Sequence, residues 1–318
     1  MSKSASIDPA SRLRAGICPE ESPHFRGKRP LECGRFDGMA QKKVRLIRYS
    51  GEVRVRARGP LPEWTQQGGK MNLTERLISI AHPLGDDLRV QDVRIGLGYT
   101  CVELDDGSAG LACTPVRGHS GSCTHLKRAG SLSGLAAKEL LEGLQSDHPL
   151  ERAIGLAVCN ALNQRFDSRY LDEDSMALLD IREDDHVVMV GFFGPLISRI
   201  KATGCRLDIV ERDADKPGVI DSEKGHEVLA QCDVAIITST SIINNTVDDL
   251  LSALRKTRSA VMLGPSTPLF PQAFAGTRIT QLSGAHVMDK EKVKMTVSQG
   301  GGTMLLKRHL RFVSLPVS

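Results

Sequence analysis

Five short apolar runs in the second half of the chain constrain its fold more than any other feature. Val187 to Val190, Leu207 to Val210, Val234 to Ile237, Ala260 to Leu263 and Ala285 to Val287 are each too short for a helix. Strands of this kind are apolar on both faces and need covering on both faces, the condition met in a parallel sheet layered between helices. The segments around Leu196 to Thr203, Ser222 to Ala230 and Val247 to Arg255 have the length and pattern of the crossover helices such a sheet requires. The expected fold class for residues 149–318 is therefore α/β, a Rossmann-like doubly wound parallel sheet with its ligand crevice at the carboxyl ends of the strands.

Upstream the pattern differs. Leu73 to Ala81 carries apolar residues at helical spacing, and Asn72 is placed to cap its first turn. Asp92 to Ile95, Thr100 to Leu104 and Ala109 to Thr114 read as strands, with Asp105-Asp106-Gly107-Ser108 supplying turn chemistry between the last two. Ser133 to Leu144 reads as a helix, and Pro149 opens another that runs to about Asn163. This predicts a smaller α+β domain over residues 71–148.

Residues 1–70 show no sustained periodicity and are rich in Arg, Gly, Pro and Ser, so no stable domain is expected there. Gln67-Gly68-Gly69-Lys70 before Met71 is encodable by a purine-rich stretch of the kind that precedes bacterial start codons, which makes Met71 a candidate true start; the alternative is a flexible basic extension. The formal net charge of +4 comes from this segment: residues 1–70 hold 15 Lys/Arg against 7 Asp/Glu, and residues 71–318 hold 27 against 31. A mildly acidic body argues against nucleic-acid binding, which needs a basic face on a folded domain. No apolar run approaches the roughly 18 residues of a membrane span, and no secretory signal follows the N-terminal basic residues. A soluble, cytoplasmic protein without a membrane partner is the expectation.

Candidate ligand contacts come from the strand ends. Gly191-Phe192-Phe193-Gly194-Pro195 follows the first apolar run directly; its glycines permit a tight turn, and Pro195 suits the first turn of a helix whose free N–H groups face a ligand. The loop lacks G-x-G-x-x-G, which counts against a dinucleotide. Glu211 closes the second strand, where an acid accepts hydrogen bonds from ribose hydroxyls, a polyol or an amine. Thr238 and Ser239 follow the third strand, and Ser266 and Thr267 lie in the stiff loop Gly264-Pro265-Ser266-Thr267-Pro268 after the fourth. His286, in the last apolar run, is a candidate acid/base because imidazole titrates near neutrality. Each has a bland alternative: a tight turn, a solvated strand end, a helix cap or a packed histidine.

The eight cysteines form no C-x-x-C pair, so neither a zinc ribbon nor a disulfide framework is indicated. Cys113, His119, Cys123 and His125 nevertheless crowd one loop, and thiols with imidazoles suit a transition metal ion such as Zn or Cu(I). Their spacing matches no structural zinc motif, and a flexible Gly/Ser loop is the alternative.

From Met71 onward the chain resembles the putative heavy-metal chelation family of bacteria and archaea. The likeness rests on Ile95-Gly96-Leu97-Gly98-Tyr99-Thr100, on the Glu151 to Asn163 helix with Asn160-Ala161, on Gly191 to Pro195, and on Gly264-Pro265-Ser266-Thr267-Pro268, in that order. The resemblance implies an enolase N-terminal-like domain joined to a Rossmann-like domain with a cleft between them. It also implies partial likeness to Rossmann-like methyltransferases, and a role in condensing or hydrolysing precursors of flavins, pterins or metal-chelating molecules. Three functions follow as expectations: binding, with or without turnover, of a small polar metal-chelating metabolite; non-catalytic metal carriage by the Cys/His loop; and a Rossmann-type enzyme using S-adenosylmethionine or a nucleotide.

Overall fold

The structure is a computed structural model that describes residues 71–317 except 116–123, 165–169, 171–176 and 212–218. Helix α1 (Leu73–Ala81) begins with a reciprocal cap: the Asn72 side chain accepts from Glu75 N–H at 2.9 Å, and Asn72 N–H donates to Glu75 Oε2 at 2.8 Å. This is the capping box that satisfies two otherwise orphan donors. Strands β1 (Val90–Ile95), β2 (Tyr99–Leu104) and β3 (Ala109–Cys113) then form an antiparallel meander.

The helix expected over Ser133 to Leu144 is shorter. Gly134 N–H donates to Val90 O and Val90 N–H to Leu135 O, so the turn at Gly134 is tied to the start of β1, and Ala136 bridges Arg89 just before it. Only α2 (Ala137–Leu141) remains α-helical, followed by a 3-10 turn over Glu142–Gln145. Helix α3 (Pro149–Asn163) is buried on nearly every side. It packs on β2 and β3 and also reaches the second sheet's loops, so it is the shared wall of both layers.

The larger sheet contains β4 (His186–Val190), β5 (Arg206–Val210), β6 (Val234–Thr238), β7 (Ser259–Leu263), β8 (Gln281–Val287) and β9 (Leu310–Pro316) in the order β5-β4-β6-β7-β8-β9. The first five are parallel, in agreement with the doubly wound expectation, and β9 runs antiparallel to β8. Alternate residues face two cores. Val188, Val190, Ala235, Ile237 and Met262 join α3 and α7 (Val247–Ala253), whereas Val187, Met189, Val234, Ile236 and Val261 join Ile200 of α4 (Gly194–Lys201). Helix α5 (Ser222–Leu229) and the short α6 (Thr240–Ile243) complete the crossovers.

The sequence reading assigns nothing beyond Val287, but α8 (Lys290–Ser298), α9 (Thr303–Leu306) and β9 follow. They carry the second sheet back to the first. Glu103 on β2 is flanked by Lys290 Nζ and Lys294 Nζ, each at 2.5 Å, and Lys294 also meets Glu291 at 3.0 Å. Burial by itself would raise the Glu103 carboxyl, but the two ammonium groups hold it below its ordinary value.

Candidate functional site at the carboxyl edge

Strand order reverses between β4 and β6: the chain steps from β4 to β5 on one side, then returns past β4 to β6 on the other. In open α/β sheets this switch point leaves a crevice, because the two connecting helices diverge to opposite faces. Gly191 sits there with φ +94°, a conformation that disfavours any side chain, and a Cβ on it would lie 3.0 Å from the Thr238 Cβ. Its N–H donates to Val210 O at 2.9 Å, which brings the ends of β4, β5 and β6 together, with Glu211 following Val210 directly.

The rest of this end is half-open. Phe192 is 44 % exposed, and Gly191, Gly194, Glu211 and Thr238 are half-buried. Helix α4 starts at Gly194 with no side-chain cap, and its first turn offers the Gly194 N–H alone, since Pro195 has no N–H and Leu196 and Ile197 both donate to the Phe193 carbonyl. Thr238 and Thr240 hydroxyls lie 2.9 Å apart, and Ser241 Oγ donates to Thr238 O at 2.8 Å. Asn245, with φ +56°, sits in the turn before α7, while Thr246 occupies the cap position without a side-chain cap bond.

At the other end of the same edge the expected contacts are sealed. Ser239, Ser266 and Thr267 are each 1 % exposed. Ser239 N–H donates to Leu263 O, tying β6 to β7. Ser266 Oγ accepts from Cys113 N–H at 2.8 Å, and Ser266 O accepts from Asn160 Nδ2 at 3.1 Å, so this residue joins β3, α3 and the proline loop. Thr267 closes a turn onto Gly264 O; its Oγ1 is shielded and has no hydrogen-bond partner among the described residues.

His286 lies where β8 outruns β7 and pairs only with β9, opposite Arg311. Its ring meets Tyr170 edge-on, with centroids 4.7 Å apart at 75°. Burial, aided by Arg311, pushes the imidazole down to about 4, so it is neutral at pH 7, and its shielded Nε2 has no partner among the described residues. Asn160 and Asn163, which the sequence reading did not single out as site residues, anchor this end: Asn160 Nδ2 also donates to Leu111 O at 2.8 Å and Asn163 Nδ2 to Leu269 O at 2.7 Å. Their signal was present, since two amides three residues apart in the apolar stretch that follows Arg152 need buried partners.

Of the four residues proposed as metal ligands, His119 and Cys123 lie outside the described residues. Cys113 ends β3 half-buried, its thiol pushed up by burial, which opposes the thiolate a metal needs, and His125 is exposed. Among the described residues no group of three or more His, Cys, Asp or Glu side chains is arranged to hold an ion. No helix among them is long and apolar enough to cross a membrane.

Two family profiles match the chain, one (DUF4213) over residues 78–163 and the other (DUF364) over residues 174–316, and both carry the description "Putative heavy-metal chelation". The chain belongs to this family. An uncharacterised protein of Methanocaldococcus jannaschii is 23% identical over 244 residues, which span 74% of this chain and 93% of that one. Two solved structures of DUF364 proteins of unknown function share the fold. The one from Pyrococcus horikoshii has a TM-score of 0.69 at 23% identity and covers 77% of this chain and 100% of its own. The one from Desulfitobacterium hafniense has a TM-score of 0.66 at 22% identity and covers 77% and 98%. This chain thus brings both profiles together, with α3 closing the first match.

Proposed function

We propose that the chain binds a small, polar, metal-chelating metabolite at the β4–β6 switch point, and that any metal enters as part of that ligand. The observation that carries this reading is the half-open turn at Gly191, pressed against Thr238 and bonded to the end of β5, beside an uncapped helix start. The Gly194 N–H and the positive end of α4 there favour an anionic oxygen such as that of a carboxylate or phosphate, an interaction worth about 0.3–1 kcal/mol when exposed. Glu211 adds an acceptor for hydroxyl or amine protons.

Condensation or hydrolysis of such a metabolite would have to use groups near this crevice, which His286, neutral and shielded on β8 with β7 between it and β6, does not border. The test is native mass spectrometry of the protein purified from its own host. A co-purifying anionic chelator, absent from a Gly191→Val variant that retains its fold, supports the reading. A ligand retained by that variant, or metal bound stoichiometrically without any organic species, overturns it.

A further inference from the structure

At the opposite end of α3 from Asn160 and Asn163, a cavity of about 360 Å³ opens between the first turns of α3, the α2 helix with its 3-10 turn, and the segment Leu126 to Leu132. Its size falls in the range of small-molecule sites, about 300–1,000 Å³. Leu132, Leu140 and Ile154 form an apolar floor, each buried. Glu139, Glu142 and Glu151 stand around it, with Arg128 as the one cation among the lining residues.

The charges do not cancel. Arg128 is committed to Glu139 at 2.7 Å. Glu151 accepts the Ser146 hydroxyl at 2.5 Å through Oε2 alone, and the Glu142 carboxylate has no hydrogen bond or ion pair among the described residues. Gly143 brings these two carboxylates to one wall: a Cβ there would lie 2.8 Å from the Glu151 carbonyl oxygen and 3.8 Å from its Cβ, so only a residue without a side chain lets the turn press onto α3. Carboxylates on a convex surface are simply solvated. Two carboxylates on the wall of an apolar-floored cavity instead select a ligand that brings both a cation and an apolar body.

We propose that this cavity is a binding site for a primary amine carried on a small apolar body. The ammonium group's three donors meet Glu142 and Glu151, and the body lies on Leu132, Leu140 and Ile154. Anionic ligands are repelled by the same carboxylates, and neutral ones gain only the floor. The site is separate from the switch-point crevice, and its existence does not depend on what that crevice holds.

Isothermal titration of the full chain at pH 7.5 with cyclohexylmethylamine, its neutral isostere cyclohexylmethanol and the anion cyclohexanecarboxylate tests it. The amine is expected to bind about tenfold or more tightly than the alcohol, and the carboxylate not at all. Glu142 is exposed, so Glu142→Gln and Glu142→Lys leave the fold intact. The first should weaken the amine severalfold and leave the alcohol unchanged, because Glu151 still faces the ammonium, and the second should abolish amine binding by placing an ammonium in the cavity. Equal affinity for amine and alcohol, no saturable amine binding, or amine binding indifferent to both Glu142 variants would each overturn the proposal.

Discussion

At the β4–β6 end of the carboxyl edge, glycine, carboxylate and hydroxyl groups remain half-open, whereas at the β7–β8 end the same kinds of group are sealed inside the protein. Both ends follow the same local rule: a short apolar strand stops, and a polar loop begins. What separates them is the neighbour. The end of β3 and the last turns of α3 dock on the proline loop and use up Ser266 Oγ, Ser266 O and Leu269 O, so this end is already occupied by protein. The switch-point end has no such tenant among the described residues. A hydroxyl at a strand end is therefore informative about ligands only once the packing above it is known.

The largest effect is expected from Asn160→Ala. It removes two hydrogen bonds and strands the buried carbonyls of Leu111 and Ser266, a loss of about 3 kcal/mol read from urea unfolding. A variant as stable as wild type would break the distinction between a structural end and a functional end.

The next effect depends on pH. His286 has a folded value of about 4 against an ordinary 6.5, so between those values the unfolded chain binds a proton that the folded chain refuses. Stability is full above pH 6.5 and falls as the pH drops toward 4, by roughly 2–3 kcal/mol from this residue. His286→Gln should flatten that part of the stability profile, and an unchanged slope would show that the imidazole is not held neutral by burial. Ser266→Ala comes third: Cys113 N–H loses its acceptor, at a cost of about 1–2 kcal/mol measured the same way.

Glu211→Ala should have the smallest effect on stability, within about 0.5 kcal/mol, because the residue is half-exposed at a strand end. The contrast sharpens here. With the metabolite identified by mass spectrometry, the variant is expected to lose the ligand-induced rise in melting temperature that Ser266→Ala keeps. If instead Ser266→Ala loses it and Glu211→Ala keeps it, the site belongs at the β7–β8 end.

Much of the fold was legible because strand cores and helix caps are local. The five apolar runs became five parallel strands, and Asn72 formed the cap its position suggested. The errors lie where tertiary contact overrides local preference. Residues 134–136 left the expected helix for a turn bonded to Val90 and Arg89, and β9, whose alternation of apolar and polar residues breaks at Phe312-Val313, was invisible until β8 offered it a partner. Tyr170 gave no signal at all, since its role beside His286 is a matter of proximity across 116 positions.

Periodicity and turn chemistry, which act over a few residues, were enough to determine that this chain builds a doubly wound sheet and which loops border its carboxyl edge. Which of those loops stays open could not be read that way. It depends on where β3 and α3 come to rest, and contacts between residues 49 to 153 positions apart are set by the packing of whole layers rather than by any local pattern.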